Sequence, residues 1–423
     1  MRFGIKTLDD FEANGNLKGK TVLCRVDINQ PVDRSTGKLK SINRIQACVP
    51  TIRELSEKGA RVVLMAHQGS DIEYKNYFTT RPHAEVLSGL LGFEVKWVED
   101  VCGPTAREAI GKLRDGEVLL LDNVRFMAEE QTLFETKLCL SHEDQAKTQV
   151  VSKLAPLGDL YVCDAFAAAH RDQPTLCGFE QLLPSAMGRL FEKEYCTVSA
   201  LMEEPERPCV FVLGGAKISD AFQMMKTVLA KGSADLVLTG GLVANIFLAS
   251  QGVEIGKGSL DFIMKSNYGQ YIDVARELYA LFGTKIMLPE DLAWVDDGKR
   301  REAKVGAIPE SVSAVDIGSE TARKYKEEIM AARTVFVNGP AGVFEQPESE
   351  LGTRTIWEAL AETKAFTVLG GGDSITATEK YKLTDRIGYI CTGGGALIRF
   401  LSGEELPVVK ALRHGAGVGE KHV

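Results

Sequence analysis

Residues 209–220 read CVFVLGGAKISD, and this segment indicates the fold class more strongly than any other. The apolar run Cys209–Leu213 is typical of a buried β-strand, and the pair Gly214-Gly215 ends it. Lys217 then stands where the chain is predicted to turn from the strand into a helix. A buried strand that passes through glycine into a helix is the repeating unit of a parallel α/β sheet.

The same pattern recurs along the whole chain. Apolar, β-branched runs alternate with helix-like stretches such as 44–58, 81–91 and 144–154. The predicted strands are 21–26, 61–66, 117–121 and 160–163 in the first half, and 209–213, 235–238, 284–288, 334–337, 365–369 and 387–391 in the second. This alternation predicts an α/β fold with two doubly wound, Rossmann-like parallel sheets.

The chain is long enough for two domains. Its 423 residues exceed the usual size of one hydrophobic core. Residues 189–204 have the apolar spacing of a helix, and Pro205 and Pro208 interrupt it afterwards. We predict an N-terminal domain over residues 1–188, a connecting hinge helix over 189–204, a C-terminal domain over 205–400, and a cleft between the two domains.

Composition restricts the possible partners. The formal net charge of −8 disfavours binding to nucleic acid and to acidic membranes. The 9 cysteines are scattered and lack CxxC or Cys/His spacing, which argues against a disulfide framework or a structural zinc site. No apolar run approaches the ~20 residues of a membrane span, and no targeting signal is visible. We predict a cytoplasmic location.

Glycines follow nearly every predicted strand of the second half. Glycine lets backbone N–H groups approach phosphate closely, and helix N-termini at the same sheet edge favour anions. Asp373 and Ser374 follow one cluster and can cap a helix while presenting oxygen to a nucleotide-bound Mg²⁺. A single glycine pair is more often a tight turn, but several clusters on one edge predict a nucleotide site. The clusters are Gly214-Gly215, Gly240-Gly241, Gly339, Gly370-Gly371-Gly372 and Gly393-Gly394-Gly395.

Two common nucleotide-binding motifs are missing. The chain has neither GxGxxG after its first strand nor GxxxxGK[ST], so a nicotinamide-dependent dehydrogenase and a P-loop enzyme are both disfavoured. Lys217, beside a glycine-rich turn, is placed to stabilise charge on a phosphoryl group in transfer.

The predicted strands of the first half end in charged and amide side chains instead. Guanidinium groups match carboxylate and phosphate oxygens, and Asp27 and Asn29 could both point at a hydroxyl. The residues are Arg25, Asp27, Asn29, Arg44, His67, Asn123, Arg125, Asp164, His170 and Arg171. Together they predict a small, multiply anionic, hydroxylated substrate.

Several ordered motifs resemble those of the phosphoglycerate kinase family in its archaeal form, over nearly the whole chain. The matching segments are RVDIN (25–29), AHQG (66–69), LLDNVRF (120–126), DAFAAAHR (164–171), GGAKISD (214–220), NGPAGVFE (338–345), GGGDS (370–374) and TGGG (392–395). The resemblance implies reversible phosphoryl transfer between 1,3-bisphosphoglycerate and ADP, giving 3-phosphoglycerate and ATP.

The resemblance also implies residue roles. Arg44, Lys217, Gly372 and Gly395 would act on the reacting groups, and Asp373 would face Mg²⁺. The glycerate substrate would be held by Arg25, Asp27, Asn29, Arg44, His67, Arg125 and Arg171. The nucleotide would be held by Gly214, Gly215, Lys217, Gly240, Gly241, Asn338, Glu345, Gly371, Gly372, Asp373 and Ser374.

The family fold implies that residues 401–423 return to the first domain. The basic, glycine-containing segment 413–423 has few apolar residues, which predicts a disordered or loosely packed tail. We predict a monomer or a small homo-oligomer. The chain departs from the family at Ser70, where arginine is frequent, and at Ala221, where many members have lysine. A non-catalytic or altered-substrate kinase-like binding protein is the alternative that these departures leave open.

Overall fold

Two six-stranded sheets, each parallel throughout, form the framework of the protein. The structure is a computed structural model that describes residues 1–14, 17–69 and 77–418. The chain divides into two units, one of residues 1–197 with 405–423 and one of residues 198–404.

The sheet of the first unit has the strand order β3-β4-β2-β1-β5-β6. All five residues of β1 are buried, as expected for a strand covered on both faces. The chain adds strands on one side of β1 and then on the other, so the order reverses between β1 and β5. The strands are β1 (Thr21–Arg25), β2 (Arg61–Met65), β3 (Val95–Val98), β4 (Val118–Leu121), β5 (Leu160–Cys163) and β6 (Ser185–Met187).

Nine helices precede the second sheet in the part of the chain that the structure describes. They are α1 (Leu8–Asn14), α2 (Asn43–Glu57), α3 (Arg81–Leu91), α4 (Pro104–Gly111), α5 (Thr132–Leu138), α6 (His142–Gln145), α7 (Gln149–Leu154), α8 (Pro174–Cys177) and α9 (Arg189–Glu203). Helix α9 carries the chain from one unit into the next.

The sheet of the second unit has the order β15-β14-β13-β7-β8-β9, with its reversal between β7 and β13. A separate antiparallel sheet has the order β11-β10-β12. The strands are β7 (Cys209–Leu213), β8 (Leu236–Thr239), β9 (Ile286–Met287), β10 (Asp291–Asp296), β11 (Lys299–Lys304), β12 (Asp316–Ile317), β13 (Thr334–Asn338), β14 (Phe366–Gly370) and β15 (Tyr389–Ile390).

The remaining helices cover the second unit, except for the last one. They are α10 (Ile218–Ala230), α11 (Gly241–Ser250), α12 (Lys257–Lys265), α13 (Gln270–Phe282), α14 (Ser319–Ala331), α15 (Leu351–Glu362), α16 (Gly372–Lys380), α17 (Gly395–Leu401) and α18 (Pro407–Gly415). Helix α18 belongs to the first unit, where it packs against α8 and β6.

The predicted α/β class with two parallel sheets is confirmed. Three details of the prediction were wrong. Strands β3 and β6 and the antiparallel sheet were missed. The helix expected over 144–154 is two helices, because Thr148 is extended and its hydroxyl donates to the carbonyl of Gln145. Arg413, expected in a loose tail, lies in α18 and donates to the Tyr195 hydroxyl at 3.0 Å.

The rest of that predicted tail, from residue 419, lies outside the described residues. Among those that are described, no helix combines the length and apolar character that a membrane crossing needs.

Candidate functional site

The first half of the site lies where the strand order of the first sheet reverses, between β1 and β5. Ligands of doubly wound sheets bind outside the carboxyl ends of the strands at such a reversal. Arg25 is the last residue of β1, and Asp27 and Asn29 follow it. Sequence and topology therefore bring these polar side chains to the position where this fold binds ligands.

Arg25 is fully buried, and three groups hold its guanidinium. Its Nε donates to Thr175 Oγ1 at 3.0 Å, its Nη1 to the carbonyl of Val26 at 2.5 Å, and its Nη2 lies 3.0 Å from His67 Nδ1. Thr175 donates in turn, from its N–H and its hydroxyl, to the buried Glu130 carboxylate at 2.7 Å each. Because guanidinium only donates, His67 accepts through Nδ1, which leaves the proton of the neutral ring on Nε2.

Four arginines surround His67. Burial, followed by the positive charges of Arg25, Arg125, Arg44 and Arg171, holds the pKa of His67 well below its ordinary value of 6.5. The imidazole is therefore neutral at neutral pH, and the local positive charge comes from the guanidinium groups. Such a concentration of charge favours an anion with several negative groups.

Arg44 is the most exposed member of this cluster, and Asp27 orients it. Arg44 Nη1 donates to Asp27 Oδ2 at 2.7 Å, with 41% of the arginine side chain exposed against 5% of the aspartate. The other oxygen of Asp27 accepts from the N–H of Asn29 at 3.1 Å, and Asn29 Oδ1 accepts from the N–H of Gly69 at 3.0 Å. The loops after β1 and β2 are thereby tied together.

The remaining two arginines come from later loops of the same unit. Arg125 is buried, and its Nη1 donates to the carbonyl of Gly69. Arg171 Nη1 lies 3.3 Å from Thr132 Oγ1 and 3.7 Å from the Glu135 carboxylate. The residues predicted to hold the glycerate substrate are thus connected by hydrogen bonds between Arg25 and His67, between Asp27 and both Arg44 and Asn29, and through Gly69 between Asn29 and Arg125, and the charge of Arg171 acts on His67.

Asp164, one of the polar residues that follow the strands of the first half, caps a helix. Its Oδ1 accepts from the N–H groups of Leu190 at 2.9 Å and Phe191 at 3.1 Å, in the first turn of α9. Burial raises its pKa from 3.8 to about 7. Ser70, the departure noted in the sequence, lies outside the described residues.

The second half of the site lies at the reversal between β7 and β13 of the other sheet. Gly214 N–H donates to the carbonyl of Asn338 at 3.0 Å, and Gly215 N–H donates to that of Pro340 at 2.8 Å. A Cβ at Gly214 would collide with the carbonyl oxygen of Pro340, so the close approach of these two loops requires glycine.

The N-terminus of α16 lies beside the same loops. Gly371 precedes α16 with a φ of 86°, and a Cβ there would come within 2.5 Å of Asn338 Oδ1. Ser374 Oγ accepts from the N–H of Gly339 at 2.8 Å and so fixes the helix against the end of β13. Gly372, the first residue of α16, has open space around it. A helix N-terminus with such access favours phosphate.

A cavity of about 490 Å³ opens next to these glycines. Gly215, Gly241, Glu345 and Asp373, four of the residues predicted to hold the nucleotide, line it. Sequence reasoning missed its apolar lining, which includes Phe262, Leu292, Val343 and Phe344. Large, mostly apolar cavities with a few polar groups are the usual sites of small ligands.

The other predicted residues of this half occupy the ends of helices. Lys217 is exposed directly before α10 and has no ion-pair partner in the described part of the chain. Gly240 precedes α11 and packs closely against Ala341, and Gly395 is the first residue of α17. Asp373 is exposed in the first turn of α16.

A family model described as phosphoglycerate kinase matches residues 9–404. The chain belongs to the phosphoglycerate kinase family. The resemblance seen in the sequence is thereby confirmed, and phosphoglycerate kinase is a phosphotransferase with a carboxyl group as acceptor.

Individual phosphoglycerate kinases agree over the full length. The protein of Methanothermobacter thermautotrophicus is 50% identical over 413 residues, covering 97% of this chain and 97% of that protein. The protein of Methanothermus fervidus is 42% identical and covers 100% of both. Among solved structures, phosphoglycerate kinase from Pyrococcus horikoshii OT3 superposes with a TM-score of 0.84 at 42% identity, covering 97% of this chain and 99% of that one.

Phosphoglycerate kinase from Coxiella burnetii shares the fold at 31% identity, with a TM-score of 0.81, covering 95% of this chain and 97% of that one.

The structure describes the surroundings of Ala221, one of the two positions at which the sequence departs from the family. Ala221 is 1% exposed on α10, so the stem of a lysine there would have to pass between buried neighbours before its ammonium reached solvent.

Proposed function

We propose that this phosphoglycerate kinase transfers a phosphoryl group reversibly between 1,3-bisphosphoglycerate and ADP, giving 3-phosphoglycerate and ATP. The observation that supports this most directly is the group of four arginines around the neutral His67. 3-Phosphoglycerate carries a carboxylate, a phosphate and a hydroxyl, which are the groups that guanidinium forks and an imidazole N–H bind. A phosphorylated hydroxy acid is therefore the substrate class that this half of the site fits.

In the first unit, the buried and exposed arginines take different roles. Arg25 and Arg125 are buried and fixed by protein groups, so we assign them to the static part of the substrate. Arg44 is partly exposed and is held from one side by Asp27, so we assign it to the reacting carboxyl group. His67 would donate its Nε2–H to a substrate oxygen, with Asn29 and Arg171 beside it.

In the second unit, the apolar cavity would hold the nucleoside, with Glu345 toward the ribose. The phosphates would extend to the N-terminus of α16, where backbone N–H groups have open access. The residues assigned to the nucleotide are Gly214, Gly215, Lys217, Gly240, Gly241, Asn338, Glu345, Gly371, Gly372, Asp373 and Ser374.

A Mg²⁺ carried by the nucleotide fits this half of the site. Mg²⁺ keeps several waters and takes one or two carboxylates besides phosphate oxygens, and the exposed Asp373 offers one carboxylate at the phosphate end of the cavity. Asp373 would hold the ion, which supplies neutralisation of phosphate charge when bound.

The transfer itself needs no covalent intermediate with the protein. A carboxylate oxygen of 3-phosphoglycerate attacks the γ-phosphorus of ATP, a new P–O bond forms, and the bond to the bridging oxygen breaks to release ADP. Lys217 and the N–H groups of Gly372 and Gly395 would stabilise the charge on the transferred group. Direct transfer requires the two ligands to meet, so we propose residues 189–204 as the hinge that brings them together and excludes water.

The test is an assay of ATP consumption by the purified chain with Mg²⁺ and 3-phosphoglycerate, compared with glycerate and other small carboxylates. We expect turnover with 3-phosphoglycerate and little with glycerate, because glycerate lacks the phosphate that the arginines would bind. Nucleotide binding without turnover on 3-phosphoglycerate would instead support the alternative, a kinase-like binding protein or one with a different substrate.

The same assay, run on Lys217→Ala, tests whether Lys217 stabilises the phosphoryl group during transfer. We expect kcat to fall by about 10²–10³-fold, the usual cost of removing one group that stabilises transition-state charge, with a smaller change in the affinity for ATP. Lys226→Ala, an exposed lysine later on α10, is the matched control and should retain wild-type turnover. Equal rates in the two variants would remove Lys217 from the mechanism.

A further inference from the structure

Three side chains with metal-binding atoms meet in the first unit, in a cluster that the proposed reaction does not use. His142 begins α6, Cys177 ends α8, and Asp172 lies on the segment before α8. One ligand atom from each lies within 4.8 Å of the other two, and His142 Nε2 is 3.3 Å from Asp172 Oδ1. Imidazole, carboxylate and thiol groups at such spacing have the dimensions of a first coordination shell.

The neighbouring Gln145 supplies a second, independent indication. It is 2% exposed, and its Nε2 donates to Asp172 Oδ1 at 2.6 Å. Its Oε1 is buried without a hydrogen-bond partner among the described residues. A buried amide oxygen left unpaired is costly. In the bound state, a cation would replace the Gln145 N–H as the partner of Asp172. Rotation of the Gln145 amide would then turn its oxygen toward the cluster.

The mixture of donor atoms selects the class of metal. A thiolate, an imidazole and a carboxylate suit Zn²⁺ and its spectroscopic substitute Co²⁺, whereas Mg²⁺ and Ca²⁺ prefer oxygen ligands alone. One thiolate and one carboxylate also balance the charge of a divalent cation, which reduces the cost of burying it. Binding converts the Cys177 thiol to thiolate and releases one proton to solvent.

We propose that His142, Asp172 and Cys177 form a binding site for a zinc-class divalent cation, with Gln145 as a neutral fourth ligand. The lack of Cys/His spacing in the sequence predicted no zinc site, but spacing cannot reveal this cluster because its three ligands come from separate elements and converge only in the fold. The site adjoins Arg171, since Asp172 is the next residue and its N–H donates to the Glu135 carboxylate at 2.8 Å. A bound cation would therefore hold the backbone beside one arginine of the substrate cluster.

Titration of the chelator-treated full chain with Co²⁺ tests this site without reference to activity. Thiolate coordination to Co²⁺ produces a ligand-to-metal absorption band, so we expect a band that saturates at one equivalent of metal. Cys177→Ser should abolish the band. Cys139→Ser should leave it unchanged, because Cys139 is an exposed cysteine of the same unit and lies outside the cluster.

His142→Gln provides a check that does not depend on altering the buried cysteine. His142 is partly exposed at the start of a short helix, and its replacement should weaken Co²⁺ binding at least 10-fold with the band still visible at high metal concentration. Zn²⁺ should raise the melting temperature of the wild type more than that of either variant, because a ligand that binds the native state stabilises it. Absence of a thiolate band in the wild type, or an undiminished band in Cys177→Ser, overturns the site.

Discussion

At the scale of single residues, the position of Arg25, one of the arginines proposed to hold substrate, depends on Thr175 and Glu130, which are not assigned to the substrate. The Arg25 guanidinium forms hydrogen bonds with His67 and with Thr175, and the Thr175 hydroxyl donates to Glu130. Glu130 is fully buried, and burial raises its pKa although Arg25 and the Thr175 donors act to lower it. The Thr175 hydroxyl thus links a buried carboxyl group to a buried guanidinium, because it accepts from Arg25 and donates to Glu130.

Replacement of Thr175 by valine should therefore weaken both the fold and the substrate site. The buried Glu130 loses a donor and Arg25 loses an acceptor, at an expected cost of about 1–3 kcal/mol in the free energy of unfolding. We expect the KM for 3-phosphoglycerate to rise while the KM for ATP stays unchanged. Thr175→Ser keeps the hydroxyl and should restore the wild-type KM. A higher KM in Thr175→Ser with a wild-type KM in Thr175→Val would mean that packing by the threonine methyl, and not the hydroxyl, fixes Arg25.

At the scale of elements, glycine determines how closely α16 approaches the end of β13. The contact of Gly371 with Asn338 and the hydrogen bond from Gly339 to Ser374 place the helix N-terminus at the loops proposed to bind the nucleotide. Any side chain at Gly371 has to displace the Asn338 amide or the first turn of α16. The position of the α16 N-terminus, at the proposed phosphate end of the site, therefore depends on glycine at residue 371.

Gly371→Ala should lower nucleotide affinity as well as stability. The added methyl pushes against Asn338 at a φ of 86°, and we expect the Kd for ATP to rise about tenfold, equivalent to ~1.4 kcal/mol. Gly252→Ala is the matched control, because Gly252 also has a positive φ, of 73°, but has nothing within 4 Å. It should pay the backbone cost of about 1–2 kcal/mol in stability and keep the wild-type Kd. Equal Kd values in the two variants, measured by calorimetry, would contradict the role of this contact.

Long apolar runs in the sequence predicted strands that are covered on both faces, whereas some short or exposed strands, such as β6 and β11, were missed. Strands such as β1 and β7 are covered on both faces, so they read as continuous apolar runs. Strand β11, KRREAK, is mostly exposed and gives no such signal. The turn between β10 and β11 does carry one, since Asp297 and Gly298 both have positive φ, and Asp-Gly is a strong hairpin signature.

The candidate site divides in the same way. Residues that directly follow strands were predictable, because parallel strands bring their carboxyl ends to one edge. Glu130 and Thr175 support Arg25 from distant segments and could not be found from spacing. The apolar wall of the cavity, including Leu292 on β10, depended on the hairpin that was missed.

At the scale of the whole molecule, buried titratable groups make stability depend on pH in two opposing ways. Burial raises the pKa of Asp164 to about 7, that of Asp316 to about 6, and that of Glu180 well above its ordinary value. Each of these acids binds a proton more tightly when folded, so its contribution is complete below pH ~4 and is lost as the pH rises to its folded pKa. Burial lowers the pKa values of His67 and His83, so these two residues act in the opposite direction. Their contribution to the free energy of unfolding is lost as the pH falls below ~6.5, because the unfolded chain then binds protons more tightly.

Comparison of a variant with the wild type isolates one of these groups. Asp164→Asn keeps the Oδ1 acceptor for the N–H groups of Leu190 and Phe191 and removes the titration. The difference in unfolding free energy, variant minus wild type, should therefore increase between pH 4 and pH 7, by at most about 1.4 kcal/mol per pH unit. Above pH 7 this difference should level off. Denaturant titrations across this range measure the difference. A constant difference for Asp164→Asn would show that its carboxyl ionises in the native protein as it does in the unfolded chain.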